Sequence, residues 1–295
     1  MKIRFAIGLV LLNFILISCA WAEMTETDDG AMIYYEVKGN GPPIVLVHGW
    51  TMSGKIWKKQ VEGLSRDYRV ITIDLRAHGN SSKALYGNTI PRLAKDVRTV
   101  IKKLKLKKAT LVGWSLAGPV VLSYWEQFGT KGDVKALGLV DMTPFGFSPA
   151  AWNSHTLKNY NYDNMNAFFL ALTEKRREVA TGFINKMFKS GQAGADLDWI
   201  LTEHLKTPAP VAIDIYSDYL MRDYSGTLKT ITIPVIVFAA DSQIFPKGIE
   251  MGSFISSQIP HSTFAPFDDA GHVLFYEQAE KFNSALDKFA KGVKQ

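Results

Sequence analysis

Short, continuous apolar runs that alternate with helical stretches constrain this chain more than any other feature. "IVLV" (44–47), "RVITID" (69–74), "ATLVG" (109–113), "VKALGLVD" (134–141), "IPVIVFAA" (233–240) and "STFAPF" (262–267) read as strands. Between them, 92–104, 117–128 and 249–257 have helical periodicity, and a last helix runs to 289. An alternating strand over "AMIYYEV" and a Gly/Pro turn precede the first apolar run. Strands without a polar face imply a mostly parallel sheet covered by helices on both sides. With 295 residues, 47% of them hydrophobic, the chain can bury a large core.

The rhythm breaks once. From 143 to 225 there are helical stretches such as "NMNAFFLALTEKRREVATGFINKMF" and "PVAIDIYSDYLM", but no strand. The expected architecture is one α/β sheet formed by 23–142 and 226–295, with an all-helical cap, 143–225, inserted after the sixth strand. No repeat or low-complexity segment interrupts it.

The first 22 residues are of another kind. Lys2 and Arg4 precede the apolar run "FAIGLVLLNFILIS", and Ala20 and Ala22 form an A-x-A pair. That is the pattern of a secretory signal cleaved after Ala22, and the run is shorter than a membrane-spanning helix needs. "LISC" (16–19) offers a second reading, a lipobox with Cys19 as a lipidated N-terminus; its tether to the first strand would be short. Export to the periplasm or beyond is the expectation, with a membrane-anchored lipoprotein as the alternative. The full chain has a net charge of +6; loss of Lys2 and Arg4 leaves 32 basic against 28 acidic residues, net +4. The basic residues are dispersed apart from "KKLKLKK" (102–108), a solvated helix end, so no nucleic-acid partner is expected. Cys19 is the sole cysteine, which excludes a disulfide within the folded domain.

Residues 111–118, "LVGWSLAG", place one hydroxyl at the junction of a buried strand and a helix. G-x-S-x-G at such a junction is a nucleophile elbow, and the crowding of strand against helix requires small flanking residues. Gly113 and Ala117 fill those positions around Ser115, alanine departing from the strict motif, and Gly118 follows. A serine hydroxyl needs a base, and the base an orienting acid. Of six histidines, His272 lies on a loop after the final strand and before the last helix, where an imidazole can reach a neighbouring strand end. His155 and His204 fall in the insertion, His261 and His78 in turns, and His48 at a strand end, where it reads as structural. Asp241, ending the strand 233–240, is the expected acid; Asp141, Asp268 and Asp269 are its rivals. The backbone N–H groups of Leu116 and of Trp50 are the expected oxyanion donors.

Taken together, these motifs resemble the α/β-hydrolase superfamily over essentially the whole chain after 22. "HGW" (48–50) is similar to its oxyanion loop and "DLRAHGNSS" (74–82) to its Asp-x-Arg-Gly-His-Gly-x-Ser turn, with Ala77 in place of a glycine. "GWSLAG" resembles the elbow, "FAADSQIF" (238–245) the acid loop and "DAGH" (269–272) the histidine loop. The nearest likeness is to serine esterases and cofactor-free haloperoxidase-like enzymes with a helical cap. The resemblance implies an esterase for small, largely apolar carboxylic esters, acting through an acyl-enzyme. Lactone, thioester or carbon–carbon hydrolysis, perhydrolysis, or a ligand-sensing role with slow turnover remain alternatives. Ser115 excludes the relatives that use an aspartate at the elbow, the haloalkane dehalogenases and epoxide hydrolases. Without H-E-x-x-H, a Cys/His cluster or G-x-G-x-x-G after a strand, neither a metal nor a dinucleotide cofactor is expected. The substrate pocket is expected to use Trp50, Trp114, Phe145, Phe147, Phe168 and Phe169, with Leu172, Trp199, Tyr216 and Tyr219 also available in the cap.

Overall fold

The computed structural model describes residues 21–158 and 161–293. The apolar leader, with Cys19 and Ala20, lies outside those residues; Ala22 is within them, in the first strand. No helix among the described residues is long and apolar enough to cross a membrane.

Eight strands form one sheet: β1 (Trp21–Glu26), β2 (Met32–Lys38), β3 (Pro43–Val47), β4 (Arg69–Ile73), β5 (Ala109–Trp114), β6 (Val134–Val140), β7 (Val235–Ala240) and β8 (Ser262–Phe267). Their spatial order is β1-β2-β4-β3-β5-β6-β7-β8. The two pairings that involve β2 are antiparallel, and all others are parallel. The parallel connections run through α1 (Lys58–Leu64), α2 (Ile90–Lys103) and α3 (Ala117–Phe128), then the cap, then α8 (Gly248–Ser257). The cap comprises α4 (Tyr162–Glu174), α5 (Arg176–Met187), α6 (Leu197–Leu205) and α7 (Ala209–Met221), all between β6 and β7; the chain ends in α9 (Leu274–Glu277) and α10 (Ala279–Gly292).

The continuous apolar strands are explained by two cores, one on each face. Side chains alternate across a strand. Thus Val45, Val47, Leu111, Val235 and Val237 pack with Leu93 and Val97 of α2, Val120 of α3 and Met251 of α8. Ile44, Leu46, Val112, Trp114, Ile236 and Phe238 pack on the other face with Trp57, Phe275 and Phe282. With both faces buried, function is confined to the strand ends, where loops emerge.

The turn after β4 is fixed by charge. Asp74 accepts from the backbone N–H groups of Gly54 and Asn80 at 2.6 and 2.7 Å. Arg76, fully buried, is held between Asp96 and Asp29 at 2.8 and 2.7 Å. Ala77 stands in the left-handed region at φ 60°, which is where a glycine would be expected.

Candidate active site

Register brings the first pair of polar residues together. β5 and β6 run parallel, with Trp114 opposite Val140. Ser115 and Asp141 each follow directly, so they sit side by side beyond the carboxyl ends of adjacent strands. The backbone N–H of Ser115 donates to the carbonyl of Val140 at 2.9 Å. Both residues adopt left-handed backbone, with φ of 56° and 42°. For residues with a Cβ this conformation is disfavoured and persists only where the surroundings enforce it. Enforcement at Ser115 comes from the tight wedge of strand and helix. A Cβ on Gly113 would overlap the carbonyl of Ala117 and the side chain of Val121, and one on Gly118 would overlap Met142. Ala117 is fully buried in the same wedge.

The second pair is His272 and Asp141. The imidazole Nδ1–H donates to Asp141 Oδ2 at 2.6 Å, with both side chains buried. The other carboxylate oxygen accepts from the backbone N–H of Ala240 at 3.0 Å. Burial pushes the Asp141 carboxyl up from the usual range, and the His272 bond pulls against that shift. The backbone around the imidazole is also pinned, because the Trp114 indole N–H donates to the His272 carbonyl at 2.9 Å and the two rings lie 5.1 Å apart. Nδ1 is committed to Asp141. Nε2 is buried and has no hydrogen-bond partner among the described residues, the Ser115 hydroxyl included.

Asp241 is not the carboxylate that meets His272, contrary to the sequence expectation. β6 and β7 pair Val140 with Phe238, which puts Asp141 level with Ala239. Asp241 therefore lies two residues farther out, roughly 6–7 Å along the strand direction. There it is exposed, and its Oδ1 accepts from the backbone N–H of Ile249 in the first turn of α8 at 2.9 Å. It serves as a helix-terminal cap. Asp268 and Asp269 are exposed as well, and the bond from His272 goes to neither.

The loop after β3 closes the site from the other side of β5. A Cβ on Gly49 would come within 3.1 Å of both the Ser115 Cβ and the Trp114 ring. Trp50 follows directly and is 3% exposed. Its indole N–H donates to the Ala212 carbonyl of α7 at 2.8 Å, so this core loop is fastened to the cap. The ring packs 4.6 Å from Tyr216 and edge-on to Phe183 at 5.3 Å. Leu116, buried, immediately precedes α3, whose first-turn N–H groups and dipole favour negative charge there.

The remaining histidines divide by environment. His48 donates from Nδ1 to the Gly49 carbonyl and accepts at Nε2 from the Leu75 N–H, and burial lowers its pKa to about 4. It is the structural histidine the sequence suggested. His155 and His204, set aside because they fall in the cap, are both buried against site residues. His155 packs edge-on to Phe245 at 5.2 Å, and Phe245 in turn packs against His272. His204 meets Thr51 and the edge of Trp50.

Of the expected pocket residues, Phe168 packs 6.1 Å from Trp50 and joins the aromatic cluster of Trp50, Phe183 and Tyr216. Phe147 and Phe169 line a separate cleft of about 450 Å³ with Met165 and Met221. Phe145 is half-buried near the start of the cap. Trp199 faces outward, its indole bonded to Asp196 and stacked under Lys58. Leu172 is core. Sequence reasoning missed Phe183, which carries no motif, and Phe245, which ends the acid-loop motif without being singled out in it. A groove of about 710 Å³ between Lys135, Ile236, Ala265 and Phe289 lies at the amino-terminal ends of β6–β8, at the opposite end of the strands from Ser115. Among the described residues no cluster of His, Cys, Asp and Glu is suited to a metal ion.

Comparison with known proteins bears on the family and the fold. The family model for the alpha/beta hydrolase fold matches residues 42–279. The chain is 27% identical to the AB hydrolase superfamily protein YisY of Bacillus subtilis, an alignment covering 90% of this chain and 97% of that one. Among solved structures it is similar to the bromoperoxidase from Bacillus anthracis, with a TM-score of 0.81, 26% identity and coverage of 92% and 100%. An esterase from Exiguobacterium antarcticum superposes with a TM-score of 0.80 at 25% identity, covering 91% and 99%.

Proposed function

The chain belongs to the α/β-hydrolase family, and on that premise we propose that it is a serine hydrolase of small, largely apolar carboxylic esters. The observation that carries the reading is the buried hydrogen bond between His272 and Asp141, beside a strained Ser115 at the end of β5. With Nδ1–H held by Asp141, the free lone pair of His272 is on Nε2, the nitrogen left to accept the Ser115 proton. Ser115 Oγ then attacks the ester carbonyl, and the backbone N–H groups of Leu116 and Trp50 stabilise the oxyanion. His272 returns the proton to the leaving alcohol. Water, deprotonated by the same imidazole, hydrolyses the acyl-enzyme. Asp141 keeps the ring oriented and stabilises the imidazolium.

The aromatic wall of Trp50, Phe168, Phe183 and Tyr216 favours an apolar acyl or aryl group over a charged one. The similar esterase structure supports ester hydrolysis as the reaction class. The basic and apolar stretch before β1, with Lys2 and Arg4 ahead of "FAIGLVLLNFILIS", supports an exported protein.

The test is hydrolysis of p-nitrophenyl esters of graded acyl length, with fluorophosphonate labelling of the full chain. Ser115→Ala is expected to lower kcat by about 10⁴–10⁶ and to abolish labelling. An unaltered rate in that variant would refute the reading.

A further inference from the structure

Trp50 is tied to the cap at both its side chain and its carbonyl. Its indole N–H is bound by the Ala212 carbonyl of α7. Its own carbonyl accepts the hydroxyl of Thr51 at 2.6 Å. That hydroxyl lies 2.7 Å from Nδ1 of His204, on α6. Because the Thr51 proton is committed to the Trp50 carbonyl, Nδ1 must be the donor to Oγ1, which fixes the imidazole as its neutral Nδ1–H tautomer. Deep burial agrees, lowering the His204 pKa to about 3. The result is a one-way chain: imidazole N–H to hydroxyl, hydroxyl to carbonyl.

Thr51 also has a left-handed backbone, φ 56°, where a β-branched residue is strained. Such strain persists only where neighbouring bonds enforce it. The chain does so, and its geometric consequence falls on Trp50. Side-chain bonds fix the Cβ direction at Cα, and the Thr51 bond fixes the carbonyl direction. Together these bonds restrain the Trp50 side chain and the peptide plane on its carbonyl side, and so narrow the positions open to its Cα and to the backbone nitrogen bonded to it. That nitrogen carries the N–H proposed as an oxyanion donor, and Gly49 before it lies close enough to Ser115 that a Cβ there would come within 3.1 Å of the Ser115 Cβ.

From this geometry we propose that His204 and Thr51 are positioning residues, through which the cap sets the aim of the Trp50 N–H at the oxyanion. The inference rests on the serine-hydrolase reading and extends it. The cap is a fixed part of the catalytic apparatus as well as a cover, and neither residue touches substrate. An oxyanion donor contributes about 10²–10³ in rate. Loosening one donor, rather than deleting it, is expected to cost roughly tenfold.

The experiment uses the full chain and compares Thr51→Val, which keeps the shape and removes the hydroxyl, with Thr51→Ser, which keeps the hydroxyl. From the cap side, His204→Leu is compared with His204→Asn, whose amide can donate from the place of Nδ1; this pair leaves the strained residue intact. On p-nitrophenyl esters, Thr51→Val and His204→Leu are each expected to lower kcat about tenfold with KM within twofold. Thr51→Ser and His204→Asn should recover most of the loss, and the Thr51→Val/His204→Leu double variant should be no slower than the worse single one. Folded Thr51→Val with wild-type kcat and a wild-type fluorophosphonate rate would overturn the inference, as would multiplicative losses in the double variant. Absence of labelling at Ser115 in the wild type would instead overturn the underlying reading, and this inference with it.

Discussion

The ends of β6 and β7 look alike in sequence and differ in almost every physical respect. Each is an apolar run that finishes in an aspartate, "GLVD" and "FAAD". At the end of β6, Asp141 is buried, left-handed, and bonded to an imidazole. At the end of β7, Asp241 is exposed and caps α8. The difference comes from register and not from chemistry. One residue past the last paired position lands beside Ser115, and three residues past it land in solvent. A strand-end carboxylate meets the imidazole where the sheet puts it level with Ser115.

The sharpest way to break the contrast is to neutralise each acid in turn. Asp141→Asn leaves the shape but cannot hold the imidazole in the Nδ1–H tautomer as an imidazolium partner, so kcat should fall about 10³–10⁴-fold. Asp241→Asn should leave kcat within twofold. Ester hydrolysis by the two purified variants checks both, and the reverse ranking would return the role to Asp241.

This was also where the sequence misled. Strand–turn–helix spacing made Ser115 legible, because a nucleophile elbow needs small residues at fixed offsets. His272 was legible from its loop, since only one histidine lay between the last strand and the last helix. The acid was not, because two aspartates ended two parallel strands and nothing local to either states its register. The cap was visible as eighty residues without a strand. Its contacts were not, since the pairing of His204 with Thr51 spans 153 positions and follows no periodicity. Trp199 and Phe168 read alike as cap aromatics, yet one faces Lys58 and the other Trp50.

Packing at the elbow predicts the next effect. A methyl group on Gly113 must displace the Ala117 carbonyl or the Val121 side chain. Gly113→Ala should therefore cost about 3 kcal/mol of stability, as overpacking and backbone shift combine. Denaturant unfolding measures this, and a midpoint equal to wild type would show the wedge to be looser than described. No comparable crowding surrounds the exposed side chain of Asp241.

Acid sharpens the comparison in another way. The buried side of the molecule holds His48, His155 and His204 as neutral imidazoles, with pKa values lowered by burial to about 4, 3 and 3. Unfolded, each would titrate near its ordinary value of about 6.5. The unfolded chain thus binds more protons between these limits, so the contribution of these groups to stability is whole above about pH 6.5 and is lost as pH falls toward 3–4. At pH 5 the loss should reach about 2 kcal/mol per histidine at most. A melting temperature independent of pH from 7 to 5 would contradict this assignment.

The smallest effect concerns the aspartate that the β7 end does use. Asp241 Oδ1 accepts a backbone N–H from the first turn of α8, one of the donors a helix leaves without an internal partner. Replacing a capping aspartate by alanine costs about 1 kcal/mol. In a domain of this size that corresponds to a fall of about 2–4 °C in Tm. Asp241→Ala should show that shift with kcat unchanged, the opposite of Asp141→Asn, which should lose turnover far out of proportion to any change in Tm. Calorimetry and esterase assay on the same preparations separate the two. If Asp241→Ala loses turnover while melting like the wild type, then its carboxylate reaches His272 during the reaction, and the distinction between the two strand ends would have to be redrawn as a difference between resting and working states.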